Sequence, residues 1–292
     1  MAGTDLALNT LDKGGAKAGN HRAMKIRIGF DIAYECTQPT PMLLSLHVHP
    51  SRQHDLIEPD LLTSDPPLAI TDYIDGFGNI CSRVTLPAGI THFIGSGLVA
   101  DSGEPDPVVA DAIQHPIPEL PSEVLVFQLG SRYCETDRLM ETAWQLFGST
   151  PPGWARVAAI CDYVHNHVNF GYAYARPTKT ANDVHVERAG VCRDFAHLAV
   201  TFCRCMNIPA RYVTGYLGDI GVPYDPSPMD FSAWFEVWLG GAWRTFDARH
   251  NKPRIGRILM ATGRDASDVA ISNSFGMTRL AGFRVWTDEV RT

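Results

Sequence analysis

The sequence predicts an α+β protein in two parts, and three observations predict it. Residues 24–100 alternate apolar and polar side chains in short runs broken by Gly, Pro and Asp turns. From residue 134 the apolar period becomes helical. After residue 210 strand patterns return, so a group of helices precedes an antiparallel ribbon. At 292 residues the chain is long enough for two ordinary cores.

Residues 1–23 lack the basic start and apolar centre of a secretory signal and read as a flexible extension, because Met24 immediately precedes a strong strand pattern. In KIRIGFDIAYEC, Ile26, Ile28, Phe30 and Ile32 share one face. MLLSLHVHP follows a Pro-Thr-Pro turn. ITDYIDGFGNICSRVTL turns around Asp75-Gly76, and ITHFIGSGLVA comes next. These short strands predict an antiparallel sandwich or barrel. Residues 101–123, rich in Pro and Asp, read as a wrapping linker. The expected division is a β-rich N-terminal domain with its linker over 24–125 and a second domain over 126–292.

Four helices are expected in the second part. The first covers 135–147. Another starts after Pro151-Pro152, with Trp154, Val157, Ile160, Cys161, Val164 and Val168 on one stripe. The third opens at Thr180, where Thr180 and Asp183 form a capping-box pattern, and ends at Gly190. The fourth begins at Cys192, with Phe195, Leu198, Ala199, Phe202, Cys203 and Met206 at helical spacing, and stops at Asn207 and Pro209. ARYVTGYL and a hairpin over 231–247 supply the strands.

Composition narrows the function. Net charge is -7, the sequence pI is about 5.8, and no Lys/Arg block stands out, which argues against nucleic acid or an anionic membrane as partner. No apolar run approaches the ~18 residues of a membrane span. Seven scattered cysteines suggest reduced thiols and a cytoplasmic location. Cys203 and Cys205 lie about 200° apart on a helix and do not chelate one ion with Cys192 and His185. His47, His49 and His54 read as surface residues. No metal or organic cofactor is implied.

Cys192 is the candidate nucleophile. A helix N-terminus carries orphan amides and partial positive charge that favour thiolate over thiol. Its base should come from the hairpin. Gly240-Gly241 is a two-residue turn signal. If Leu239 pairs with Ala242, Trp234 faces Asp247 and Ser232 faces Arg249. Ser232 and Asp247 are then diagonal neighbours on one face, roughly 7–8 Å apart. The other face carries Phe231, Ala233, Phe235, Val237 and Leu239 as an apolar stripe.

The stretch from about 150 to 276 resembles the transglutaminase-like superfamily of thiol enzymes, in GVCRDFAHL, NIPARYVTGYL, AWFEVWLGGAWRTFDARHN and GRDASDVAISNSFG. The resemblance implies a papain-like core of helices packed on an antiparallel sheet, and the β-rich N-terminal region is similar to the one that precedes this core in bacterial relatives. It also implies a Cys–His–Asp triad and a peptide, protein or small amide substrate. Cys192 and Asp247 match the triad. Where family members read His-Ala-Trp, this chain reads Ser232-Ala233-Trp234.

A serine neither holds nor releases a proton near neutrality. The expected loss is that of general acid–base catalysis, roughly 10²–10⁴-fold. Other histidines are not expected to rescue it. His197 lies about 140° round the helix from Cys192, and His165, His167 and His185 sit on earlier elements. His250 has the wrong parity to share the Asp247 face, although it is the best of them if the strand bends there.

The expectation is therefore a cysteine peptidase, amidase or acyl-transfer scaffold with an incomplete triad. The alternative is a non-catalytic peptide-binding module. Asp194 and His197 are expected to support the loop around Cys192, and Arg193 to face solvent. Arg254, Arg257 and Arg264 are expected in salt bridges to Asp265, Asp268 or loop carboxylates. Trp234, Trp238 and Trp243 are expected in the cleft or the core.

Overall fold

A computed structural model describes residues 24–290, so the expected extension over 1–23 lies outside the described residues. The first part holds strands β1 (Met24–Cys36), β2 (Thr40–Leu44), β3 (Leu56–Asp65), β4 (Thr71–Ile74), β5 (Ile80–Leu86) and β6 (Gly89–Asp101). Helices α1 (Thr136–Phe147), α2 (Trp154–His167), α3 (Ala181–Glu187) and α4 (Cys192–Cys205) follow, with two-residue strands β7 (Asn169–Phe170) and β8 (Ala189–Gly190) between them. Then come β9 (Ala210–Tyr216), β10 (Ser232–Leu239), β11 (Ala242–Phe246), β12 (Ile258–Gly263), β13 (Ser272–Ser274) and β14 (Thr278–Glu289).

Two antiparallel sheets, ordered β14-β1-β6-β3 and β13-β2-β5-β4, build the N-terminal region. Ile26, Ile28, Phe30 and Ile32 are all buried, as the alternation of β1 requires. β3, with Glu58, Pro59 and Asp60 in its middle, lacks the apolar–polar alternation of β1. It is a half-exposed edge strand, and Pro59 is tolerated because only β6 pairs with it.

The last strands cross the expected division at 125/126. β14 runs antiparallel to β1, with Phe30 opposite Val285, and β13 pairs with β2. Residues 126–292 thus do not close on themselves, because their final strands complete the sheets of the N-terminal region. The core between those sheets also takes Tyr216, Phe231, Ile258 and Met260, joining the two parts in one apolar cluster.

A third sheet, β11-β10-β9-β12, carries the helices. α4 is its central packing partner. Phe195, Leu198, Ala199, Phe202 and Cys203 meet Phe235, Val237 and Leu239 of β10, together with residues of the other helices, in a second core. The hairpin register is the expected one: Leu239 faces Ala242 and Phe235 faces Phe246. Gly240 and Gly241 have φ of +59° and +78°, the doubly left-handed turn that only glycine adopts without cost. At the start of α3, Thr180 and Asp183 form the reciprocal capping box; the helix ends at Glu187, and Gly190 lies in β8.

Candidate active site

Cys192 is the first residue of α4. Gly190 precedes it because the Asp194 side chain folds back over the loop, and a Cβ at 190 would stand 2.6 Å from the Asp194 Cβ. The Asp194 carboxylate accepts a hydrogen bond from the Val191 amide at 3.0 Å and bonds from the Arg193 guanidinium, so it fixes the approach to the helix. Asp194 is fully buried. Arg193 does not simply face solvent. It also donates to the Arg176 carbonyl at 2.7 Å and lies over the Tyr133 ring.

The sulfur of Cys192 opens on two adjoining spaces. A groove of about 460 Å³ is lined by Tyr133, Tyr172, Tyr212, Asp230, Ser232 and Ala266, among others. A smaller gap of about 110 Å³ is bordered by Cys192, Asp230, Ser232, Arg249 and His250. A third cavity, about 170 Å³, lies against Asp247 and Cys161 and is not lined by Cys192. The other six cysteines are buried; Cys192 alone is partly open among the described thiols.

The helix terminus does not by itself ionise this thiol. Burial pushes Cys192 up to about 11, against the opposing pull of Arg249 and the backbone amides of Ala233 and Arg193. The sulfur packs beside Ala233 in a small cluster with Ala196, Tyr212 and Ala261. The expected apolar stripe on β10 is therefore divided. Phe231 enters the N-terminal core, Ala233 adjoins the sulfur, and Phe235, Val237 and Leu239 pack under α4.

Ser232 is buried beside Cys192, where it borders both spaces. Asp247 lies just past the end of β11, and its carboxylate is saturated. One oxygen accepts from the amides of Arg249 and His250, each at 3.0 Å. The other accepts from Arg257 and lies 2.8 Å from Nδ1 of His250. Burial alone would raise its pKa, but Arg257 and His250 outweigh burial and hold it well below the usual carboxylate range.

The imidazole beside Asp247 is thus His250, the residue that strand parity set against it. β11 ends at Phe246, and residues 247–251 form a closed turn, with the Asn251 amide donating to the Asp247 carbonyl at 2.8 Å. Alternation has no meaning there, and the turn carries His250 back onto the carboxylate. The Asp247 carboxylate caps the amides two and three residues on, an Asx turn that only the folded backbone displays.

His197 takes a structural place instead. Its ring is fully buried, stacked on Tyr133 and tilted against Tyr212, and its Nε2 accepts from the Ala266 amide at 3.1 Å. Of the three arginines, Arg264 pairs with Asp268, as expected. Arg257 bridges Asp106 and Asp247, and Arg254 donates to the Gly218 carbonyl. Trp234 lies under the Arg257 guanidinium, and Trp238 packs edge-on against Trp243; none of the three lines the spaces beside Cys192. Asp230 and Arg249 were not singled out in the sequence. Neither belongs to a periodic pattern, and only the fold brings them to the sulfur.

Comparison with known proteins agrees with this architecture. The model of the transglutaminase-like superfamily matches residues 142–248. A candidate cysteine protease from Cytophaga hutchinsonii superposes with a TM-score of 0.78 at 31% identity, covering 93% of this chain and 92% of that one. The uncharacterized Mycobacterium leprae protein ML0607 is 37% identical over 86 residues, which are 28% of this chain and 30% of that protein. The uncharacterized Mycobacterium tuberculosis protein Rv2569c is 29% identical over 234 residues, covering 71% of this chain and 73% of that protein. On the strength of the full-length structural relative and the matched core, this chain belongs to the transglutaminase-like superfamily.

Proposed function

We propose that the protein is a thiol hydrolase or acyl-transferase acting on peptide or amide carbonyls, with Cys192 as nucleophile. One observation carries this reading. The only partly open thiol among the described residues sits at a helix N-terminus, between a groove that can take an acyl chain and a gap facing an imidazole.

In the reaction, the Cys192 thiol gives its proton to a base and the thiolate attacks the carbonyl carbon. A C–S bond forms, and the carbonyl electron pair moves to oxygen. Backbone amides at the start of α4, including that of Cys192, stabilise the oxyanion. Collapse breaks the C–N bond, and the leaving amine takes the proton from the base. Water, or an acceptor amine, then attacks the thioester, gives a proton to the base, and releases the thiol.

Serine at position 232 makes turnover slow compared with a complete triad. Hydrolysis of a peptide and amide library by the protein and its Ser232→His variant tests this. The expected gain is roughly 10²–10⁴-fold. The alternative reading is a peptide-binding module that does not cut; the raised thiol of Cys192 favours it. Peptide binding in the groove with no gain from Ser232→His would select that alternative.

A further inference from the structure

We propose that His250 is the general base of the remaining turnover, an imidazole moved from the strand position at 232 to the turn after β11. The proposal rests on the thiol reading above and names the residue that accepts the Cys192 proton.

Three observations place it. First, Nδ1 of His250 is 2.8 Å from the Asp247 carboxylate, the contact that fixes a catalytic imidazole's tautomer and stabilises its charged form. With Nδ1 donating to Asp247, the nitrogen left for proton transfer is Nε2. Second, His250 and Cys192 border the same gap of about 110 Å³. Ser232 borders it too, and its short side chain leaves open the space that a larger residue at 232 would fill. The gap can hold the water through which a proton would pass between Sγ and Nε2. Third, the turn that holds His250 is fixed from both sides. Asn251 donates to Asp162 at 2.7 Å, Nδ1 of His165 lies 2.8 Å from the Arg249 carbonyl, and Arg257 anchors Asp247 from the far side. The imidazole is therefore held, not loosely exposed.

The proton moves from Sγ to Nε2, directly or through one water, and leaves a thiolate beside an imidazolium that Asp247 stabilises. After attack, the same proton goes from Nε2 to the leaving amine. Deacylation reverses the exchange. The charged groups facing the ring are Asp247, paired with Arg257, and, across the gap, Arg249, Arg254, Asp219, Asp225 and Asp230. Asp230, which alone of these carboxylates also borders the groove beside Cys192, is the competing base.

The test needs no substrate. The pH dependence of Cys192 alkylation by iodoacetamide is followed by peptide mapping in the full chain, in His250→Asn, in Asp230→Asn, and in the double variant Ser232→His/His250→Asn. Asparagine at 250 still donates to Asp247, so the turn is kept. The parent protein should show a limb on the acid side of the thiol's own ionisation, and His250→Asn should remove it and slow alkylation at pH 7 at least tenfold. Adding Ser232→His should restore the limb. An unchanged profile in His250→Asn overturns the proposal, as does a limb lost in Asp230→Asn but kept in His250→Asn. Slow alkylation in both the single and the double variant also overturns it, because the loss then comes from a disturbed turn. A gain of turnover in Ser232→His alongside an unchanged alkylation profile in His250→Asn would leave the thiol enzyme standing and remove only this base.

Discussion

Two histidines lie close to Cys192 in the fold, and their surroundings give them opposite chemistry. His197, inside α4, is sealed between Tyr133 and Tyr212, and its Nε2 is committed to the Ala266 amide. Burial pushes it down to about 3, although Asp265 pulls the other way. Asp265 turns its carboxylate mainly to the Tyr133 and Ser267 amides and the Ser267 hydroxyl. His250 sits on a partly buried turn, is itself partly open, and has one nitrogen on an ionised Asp247. The same pair of residue types gives a neutral structural wedge in one corner and a supported imidazole in the other. What separates them is solvent access and whether the carboxylate is aimed at the ring.

That contrast can be broken in order of effect. Cys192→Ala should abolish turnover on any amide that the protein cleaves, with a melting temperature close to that of the parent, read by product formation and thermal unfolding. Turnover that survives would remove the chemistry from this end of the molecule. Asp247→Asn should cost about 3 kcal/mol in urea unfolding, the lower part of the range for breaking a buried pair, because Arg257 keeps Asp106. It should also loosen His250 while leaving His197 in place.

Acid should act through His197. Its folded pKa is depressed, so below about 6.5 the unfolded chain takes up a proton that the folded chain refuses. Stability is therefore present above about 6.5 and falls as pH drops toward 3. Partly buried His49, held down to about 4, adds in the same direction. Unfolding free energy measured from pH 7 to pH 4.5 in the parent and in His197→Gln should show the flatter curve in the variant. The smallest effect is expected from Gly190→Ala, which pushes a methyl against Asp194 and should cost about 1–3 kcal/mol in urea unfolding. It should slow Cys192 alkylation more than it disturbs Asp247.

How much of this was legible depends on the range of the interaction. Cys192 at the head of α4, the Thr180 capping box and the Gly240-Gly241 register were readable because each is set within a few residues by helical period, capping or turn chemistry. Register set Ser232 and Asp247 on one face of the hairpin, and the family resemblance marked position 232 as the histidine position; neither put an imidazole on Asp247. The bend at 247–251 was missed because strand parity was extended past Phe246, where the ladder stops. Arg257, seen as one of three salt-bridge donors, gave no sequence sign that its carboxylate would be Asp247. Nor did β14 show that it would return to β1, since its half-exposed face matches any partner strand.

The sequence by itself determined the four helices, the first strand, the hairpin register and the thiol's place at a helix terminus, because those depend on local dihedrals and on the periods 2 and 3.6. Only the tertiary structure decided which imidazole meets Asp247, how strongly burial opposes ionisation of Cys192, and that the final strand belongs to the first sheet. Those outcomes depend on distances between groups far apart in the chain and on the water excluded between them, and no local pattern encodes either.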